Sequence, residues 1–267
     1  MSNPKKSQPS EPVLLRADAD GVCTLTLNRP AARNALSRDL IDALQAELDA
    51  IAADKSVRVV VIAGAPPAFC AGHDMREIRA NPTRAYYEKT FAASSQIMKT
   101  VTRLPQPVIA RVDGIATAAG CQLVASCDLA VASENARFAT PGVHIGLFCS
   151  TPMVPISRKI GRKAMMEMLL LGEMVEAGEA QRLGLINRVV PQAELDATVA
   201  GMAAKIAAKS PLTLEIGKQA FYAQLDMPIE DAYSYCSAVM ARNMMAHDAK
   251  EGIDAFIEKR KPKWEGR

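Results

Sequence analysis

Hydrophobic and polar positions follow two different spacings in the first part of the chain, and these predict alternating strands and helices. The segment VCTLTLNRP (residues 22–30) begins with alternation and ends in a proline, which predicts a strand that runs into a loop. The run VRVVVIAG (57–64) is continuous and β-branched, which is typical of a strand buried on both faces. Between them, Ser37 is placed to cap a helix whose apolar residues recur on one face, namely Leu40, Leu44, Leu48 and Ile51.

The same order of elements continues as far as residue 133. After the loop APPAFCAGHDM a longer helix is predicted over residues 84–104, because Pro105 and Pro107 end it. VIARVDG predicts a second buried strand, TAAGCQLVAS enters a helix, and DLAVAS predicts a third short strand. This alternation of strand and helix indicates an α/β core with mainly parallel strands.

From about residue 150 the pattern becomes mostly helical. Apolar residues recur at helical spacing in two stripes, and such stripes favour a core or a subunit interface over a ligand site. We therefore expect a flexible arm at residues 1–12, an α/β core at 13–200 and a C-terminal helical region at 201–267. The first stripe is Leu195, Val199, Met202 and Ile206, and the second is Ile229, Tyr233, Cys236, Met240 and Met244.

Composition narrows the class of partner. The 267 residues are 49% hydrophobic with a net charge of +3, and only 4% are aromatic, so neither a nucleic acid nor a membrane is expected as a partner. Residues 1–12 are polar and show no signal or transit pattern. The six cysteines include no CxxC pair and no metal-ligand cluster, which predicts reduced core thiols, a cytoplasmic location and no metal site.

Two loops carry the candidate chemistry. In FCAGHD, Ala71 and Gly72 allow the backbone to approach a ligand closely, and the N–H of His73 is placed to point into a cleft. In TAAGCQ the N–H of Ala119 is the corresponding donor, at the start of a helix whose dipole adds positive potential. Two converging backbone N–H groups stabilise the charge that develops on a carbonyl oxygen, and they need no particular side chain. Each loop alone is weak evidence, but the pair predicts an oxyanion hole.

In this context the chain resembles the crotonase superfamily, which comprises the enoyl-CoA hydratases and isomerases. The resemblance covers about residues 13–262, and the motifs agree in order and spacing. The motifs GCQLVASCD, FATP and GLFCSTP are, within the superfamily, most similar to the group of the enoyl-CoA hydratase domain-containing protein 3. The motifs that match the superfamily are LNRPAARNAL (27–36), FCAGHDM (69–75), PVIARVDGIATAAGCQL (107–123), CDLAVASENARFATP (127–141), GLINRVVP (184–191) and EGIDAFIEKRKP (251–262).

The resemblance implies a fold of ββα repeats wound into a spiral, with C-terminal helices that form trimers or dimers of trimers. It implies an acyl-CoA thioester as substrate, fatty-acid metabolism as the setting, and no cofactor beyond the coenzyme A of the substrate. The thioester oxygen is expected between the N–H groups of His73 and Ala119, where an enolate-like oxyanion is held. The other positions that match substrate contacts are Ala35, Ala71, Gly72, Asp74, Met75, Gly142, Phe256 and Lys259.

The pattern departs from the family at the two positions where hydratases carry glutamates. Gln122 follows the Gly-Cys of the second loop, and Gly142 follows the FATP element. An amide does not take up and release a proton near neutral pH, and glycine has no side chain to offer. We therefore expect an intact oxyanion scaffold, no efficient hydratase activity and a compromised isomerase route.

Other residues are candidates for the missing chemistry, each beside a simpler structural role. His144 lies two residues beyond Gly142 and titrates in the useful range, although a packed or surface histidine is the more common case. Gln122 can hold a water. Cys149, in LFCSTP, is a candidate thioester nucleophile or a core thiol. Three hypotheses follow: an acyl-CoA enzyme of the superfamily, a non-catalytic acyl-CoA binding or sensing protein, and a thioester hydrolase acting through Cys149.

Overall fold

The computed structural model describes residues 11–267, so most of the predicted arm at 1–12 lies outside the described residues. The strands are β1 (Leu14–Ala19), β2 (Val22–Leu27), β3 (Val59–Gly64), β4 (Ala68–Cys70), β5 (Val108–Val112), β6 (Ile115–Thr117), β7 (Leu129–Ser133), β8 (Arg137–Ala139), β9 (Val175–Glu176) and β10 (Arg188–Val190). The α-helices are α1 (Arg38–Ala53), α2 (Met75–Ala80), α3 (Arg84–Arg103), α4 (Ala119–Ser126), α5 (Met153–Ile156), α6 (Arg162–Leu171), α7 (Ala177–Leu183), α8 (Leu195–Ala207), α9 (Pro211–Gln224), α10 (Ile229–Met244) and α11 (His247–Ile257).

The strands of the predicted parallel core form one larger sheet in the order β1-β2-β3-β5-β7-β10. Only the β1–β2 pair is antiparallel, and the parallel register places Val60 beside Val108 and Ile109 beside Leu129. Every residue of β3 is buried, as its continuous β-branched run predicts. The α/β class with mainly parallel strands is confirmed.

A smaller sheet, in the order β4-β6-β8-β9, explains the spiral. Three successive strand pairs each give their first strand to the larger sheet and their second to the smaller one: β3 and β4, β5 and β6, β7 and β8. The first two pairs are followed directly by a turn and a helix. The chain therefore winds as ββα units, which confirms the expected crotonase-like fold.

Helices cover both faces of the larger sheet. Ser37 caps α1, its hydroxyl accepting from the Leu40 N–H, and the predicted apolar face of α1 is buried. Helix α8 packs on the opposite face, where Leu195 and Val199 meet Val59 and Ile109. The first helical stripe is therefore part of the core. Helix α8 continues through residue 200, so the boundary that the sequence predicts between the core and the helical region falls inside a helix.

The C-terminal helices are held to the core by a buried ion pair. The Lys218 ammonium on α9 lies 2.7 Å from the Asp128 carboxylate and donates to the carbonyls of Val101 and Gln106. Its side chain is 6% exposed, so the pair is shielded from solvent. Because a buried charge is costly without a partner, this cluster fixes α9 against the end of α3.

The second helical stripe lies on the surface of the single chain. Tyr233 is 71% exposed and Met240 is 61% exposed on α10. The core alternative for this stripe is therefore wrong, and the subunit interface stays a prediction. Within residues 11–267, no helix is long and apolar enough to cross a membrane.

Candidate active site

The two candidate loops lie side by side because they leave neighbouring strands at the same edge. Strands β4 and β6 are parallel, with Cys70 beside Ala116, so the turns that follow them start next to each other. Gly72 has φ 95°, and a Cβ atom on it would lie 3.0 Å from the Cβ of Ala118 and 3.2 Å from the carbonyl oxygen of Thr117. A Cβ atom on Gly120 would lie 2.1 Å from the carbonyl oxygen of Cys70. Only glycine allows this approach of one backbone to the other.

The N–H of His73 faces the second turn. Leu36 forms a parallel bridge with His73, in which the Leu36 N–H donates to the Gly72 oxygen at 2.8 Å and its carbonyl accepts from the Asp74 N–H at 3.0 Å. A parallel bridge of this kind uses the groups on either side of residue 73, so the N–H of His73 points away from Leu36. Gly72, the residue before it, lies close to the nitrogen of Ala119.

The N–H of Ala119 is free for a different reason. Ala119 is the first residue of α4, and the first N–H groups of a helix have no partner within it. Ala118 before it has φ 50° and ψ −117°, a left-handed conformation that a residue with a Cβ rarely adopts. Such a residue costs on the order of 1–3 kcal/mol and is common at functional sites. Among the backbone hydrogen bonds of residues 11–267, neither the His73 nor the Ala119 N–H is a donor.

The side chain of His73 is neutral at physiological pH. Its ring meets Phe91 edge-on with centroids 5.1 Å apart, and its Nε2 is buried without a partner. Burial lowers the pKa of His73 to about 4. The ring therefore adds no positive charge to the site and is a weak base near neutrality.

Asp74 caps the next helix, α2. Its carboxylate accepts from the N–H groups of Arg76 and Glu77 at 3.1 and 3.2 Å, and Arg29 donates to it at 2.9 Å. Burial alone would raise the pKa of Asp74, but these donors hold it below its ordinary value. Asp74 thus fixes the turn that carries the His73 N–H.

Asn34 is a site-supporting residue that reasoning from the sequence missed. It is fully buried with φ 54°, and its amide donates to the carbonyls of Ala65 and Ala68 at 2.7 and 2.6 Å. Its side-chain oxygen accepts from the Arg29 N–H at 2.8 Å. The available signal was the asparagine inside LNRPAARNAL, because asparagine tolerates positive φ better than most residues.

The expected substrate contacts fall into two groups. Ala35 and Ala71 lie on the segments that flank the bridge between Leu36 and His73, together with Gly72, and Met75 is 43% exposed at the start of α2. Phe256 is 83% exposed near the end of α11, and Lys259 follows it with φ 55°. Helix α11 packs on α9 and α10.

Gln122 lies on the first turns of α4 and is 3% exposed. Its Oε1 is buried and has no hydrogen-bond partner. The residue also lines a cavity of about 800 Å³. An unpaired buried amide oxygen costs about 1–3 kcal/mol, so this position favours a ligand or water that donates to it.

Residue 142, the second glutamate position, has no space for a side chain. A Cβ on Gly142 would lie 2.8 Å from the carbonyl oxygen of Leu147 and 3.0 Å from the Sγ of Cys149. The main chain of the 145–149 segment therefore lies where a carboxylate side chain would emerge. Burial raises the pKa of the Cys149 thiol, which disfavours the thiolate that a nucleophile needs.

The side chain of His144 forms a hydrogen bond at the end of helix α6. It is exposed on a short 3-10 helix (Pro141–Ile145), and its Nε2 lies 3.2 Å from the carbonyl oxygen of Gly172 at the end of α6. This bond needs the tautomer that carries the proton on Nε2. The geometry gives the ring a role in joining the 3-10 helix to α6.

Comparison with known proteins identifies the family. The sequence model of the enoyl-CoA hydratase/isomerase family matches residues 17–267. A solved enoyl-CoA hydratase of Mycobacterium smegmatis superposes with a TM-score of 0.93 at 55% identity, covering 95% of this chain and 99% of that one. Human enoyl coenzyme A hydratase domain-containing protein 3 superposes with a TM-score of 0.92 at 43% identity, covering 94% and 100%. The mouse protein of that name, described as mitochondrial, is 43% identical over 256 residues, which are 96% of this chain and 85% of the relative.

These relatives confirm the resemblance to the group and correct one expectation. The cytoplasmic location that we expected is contradicted, because the mouse, rat and human relatives are all named mitochondrial. The expectation rested on the cysteines, of which Cys23, Cys70, Cys121, Cys127 and Cys149 are buried. Burial alone keeps such thiols unpaired, so they carry no information on which compartment holds the protein.

Proposed function

Since the chain belongs to the enoyl-CoA hydratase/isomerase family, whose members act on acyl-CoA thioesters, we propose that it is an enzyme of that class. The thioester oxygen of the substrate accepts hydrogen bonds from the N–H groups of His73 and Ala119. Charge that develops there as the thioester becomes enolate-like is stabilised by both donors and by the N-terminus of α4. Coenzyme A enters as part of the substrate, and the reaction uses no other cofactor.

The convergence of the two free N–H groups carries this proposal. The bridge to Leu36 fixes the orientation of the His73 N–H, and the left-handed conformation of Ala118 fixes that of the Ala119 N–H. Helix packing alone requires neither of these conformations. Since strained residues persist where the surrounding structure holds them in place, a retained role in stabilising an oxyanion is the simplest physical explanation.

The proposed enzyme is a poor hydratase. Addition of water to a double bond needs a base that takes a proton from water and an acid that gives one to carbon. Gln122 holds a water by hydrogen bonds without ionising, and Gly142 contributes nothing. Reactions of fatty-acid thioesters that depend chiefly on carbonyl polarisation fit the site better than hydration.

We propose the same binding mode for coenzyme A as in the family, with a trimer as the assembled state. Ala35, Ala71, Gly72 and Met75 are small or accessible residues beside the His73 turn. The exposed apolar stripe on α10 supports association through the C-terminal helices, which carry Phe256 and Lys259 to the nucleotide. Light scattering of the purified chain tests this, and a monomer at micromolar concentration contradicts it.

The alternative is a protein that binds or senses acyl-CoA without turning it over. The closed packing around Gly142 favours it, since the space for the second carboxylate is filled by Leu147 and Cys149. Hydrolysis through Cys149 is disfavoured by its raised pKa.

Calorimetry with crotonyl-CoA, beside the loss of its conjugated ultraviolet absorbance, tests the proposal. We expect binding with slow or no hydration. Turnover of any enoyl- or acyl-CoA that is lost on Gln122→Leu supports the enzyme. Binding without turnover across a panel of thioesters supports the sensing alternative, and absence of binding contradicts both.

A further inference from the structure

The cavity beside Gln122 has a chemistry that the proposed function does not explain. It has a volume of about 800 Å³ and lies between α3, α4, α9 and the segment that follows α5. Gln122 is three residues beyond Ala119 on the same helix, less than one helical turn. An acyl chain whose thioester meets the Ala119 N–H therefore passes Gln122 as it enters the cavity. Apolar side chains that suit methylene groups line the walls: Met98, Val154, Phe221 and Leu225.

The lining of this cavity is unusually rich in positive charge. Lys99, Arg158 and Lys159 all line it, against a single carboxylate from Asp226. Within the part of the chain that the structure describes, none of these three cations forms a salt bridge. Two net positive charges thus remain on the walls of a pocket that would otherwise suit a hydrocarbon chain.

Lys159 is the cation that the structure positions best. Its ammonium lies 5.6 Å from the centroid of the Tyr222 ring, within the range of a cation–π contact. The Tyr222 hydroxyl in turn donates to Asp128 at 2.9 Å, and Asp128 is the partner of Lys218. The ring that holds Lys159 is therefore anchored to the buried ion pair, and the ammonium keeps its other donors for a ligand.

We propose that the cavity selects acyl-CoA thioesters whose acyl chain ends in a carboxylate, which binds the ammonium of Lys159. Lys99 and Arg158, which also line the cavity, add to its positive potential. A purely apolar chain end would displace water from the ammonium and give it no partner, which is unfavourable. A terminal carboxylate gives it a charge-assisted hydrogen bond. This inference rests on the proposed binding of an acyl-CoA thioester.

Calorimetry on the full chain with adipyl-CoA and hexanoyl-CoA tests the proposal, since the two thioesters have equal chain length. Without a cation at the chain end, hexanoyl-CoA binds more tightly, because its methyl end loses no hydration. We expect the reverse order, with adipyl-CoA favoured by roughly fivefold. Lys159→Met removes that preference. Lys163→Met removes an exposed charge on α6 that does not line the cavity, and it leaves the preference unchanged.

The dependence on salt gives a second readout that needs no variant. The preference of the unaltered chain for adipyl-CoA falls as salt is raised from about 0.01 M to about 1 M, because the Debye length falls from roughly 30 Å to 3 Å. Tighter binding of hexanoyl-CoA, or equal binding of both thioesters, overturns this inference and leaves the proposed function intact. Absence of binding for both thioesters overturns the two together.

Discussion

The two halves of the candidate site are built in different ways. The donors of His73 and Ala119 belong to the main chain, and their directions follow from a parallel bridge, a helix start and one left-handed residue. The positions expected to move protons depend on side chains, and there the chain has Gln122 and Gly142. The first half depends on backbone conformation and on glycines at residues 72 and 120, whereas the second half depends only on which side chains stand at residues 122 and 142.

This difference teaches that the geometry of the two turns does not depend on the side chains at residues 122 and 142. The turns are enforced by packing that the fold also needs, such as the contact of Gly120 with Cys70. Nothing in the fold needs a carboxylate at residue 122 or 142. Stabilisation of charge and transfer of protons are therefore separable in this molecule, and mutations can address each of them alone.

The largest effect is expected from closing the gap between the two turns. Gly120→Ala places a Cβ 2.1 Å from the Cys70 carbonyl, a rigid backbone group, so we expect a loss of about 4 kcal/mol in the free energy of unfolding and loss of acyl-CoA binding. Chemical denaturation measures it. Gly201→Ala on α8, where a Cβ meets nothing within 4 Å, is the matched control and is expected to stabilise by about 0.5 kcal/mol. Equal stability of both variants would show that the turns are not tightly packed.

The next largest effect is expected at His73, where a substitution separates the contribution of the ring from that of the backbone N–H. In the unfolded chain the ring protonates near its ordinary pKa of 6.5, whereas in the folded chain its pKa is about 4. The folded state therefore loses stability as the pH falls from about 6.5 to 4, by about 3 kcal/mol in total. His73→Leu keeps the N–H, and we expect it to remove this pH dependence and retain acyl-CoA binding.

Denaturation midpoints at pH 7.5, 5.5 and 4.5, compared between the two proteins, measure this effect. His247→Leu serves as the control, because His247 lies on α11 and is 39% exposed. The prediction is wrong if His73→Leu and the unaltered chain lose stability in parallel below pH 6.5.

A smaller effect is expected at residue 142, where the neighbouring segment fills the space for a side chain. Gly142→Glu forces a side chain against Leu147 and Cys149, so we expect a loss of about 2 kcal/mol and no gain in hydration of crotonyl-CoA. Gly142→Ala separates the cost of the Cβ from that of the carboxylate. A stable Gly142→Glu variant with fast hydration would show that the 145–149 segment moves aside easily.

The smallest effect is expected at Gln122. Gln122→Glu puts one carboxylate back at a position that is 3% exposed, and we expect a rise of about tenfold in slow hydration, small beside what two carboxylates supply. Burial raises the pKa of the new glutamate. The stability of the variant relative to the unaltered chain is therefore greatest at low pH and falls as the pH rises above about 4.3. Gln122→Met is the control, and equal rates for both variants would contradict the assignment of residue 122 to the reacting centre.

Much of the fold can be predicted from the sequence because the spacing of apolar residues and the capping of helices are local properties. The β-branched run of β3 and the Ser37 cap each depend on residues within a few positions, and both are present as predicted. The two glycine-containing turns were visible for the same reason. Local patterns also indicated which helical stripes are apolar, although they could not tell that the stripe on α10 is exposed.

The parts that escaped prediction depend on residues far apart in the chain. Lys218 meets Asp128 across 90 residues, and the bonds of Asn34 reach Ala65 and Ala68. The attachment of His144 to Gly172 belongs with these contacts, since no spacing in the sequence encodes it. Such contacts follow from the winding of the spiral, which brings distant segments together.

The packing around Gly142 also bears on how the protein can evolve. A glutamate introduced at residue 142 by one substitution meets the Leu147 carbonyl and the Cys149 sulfur at once. The segment at 145–149 must take another path before that side chain fits. A route to a carboxylate at residue 142 by single substitutions thus passes through a destabilised intermediate.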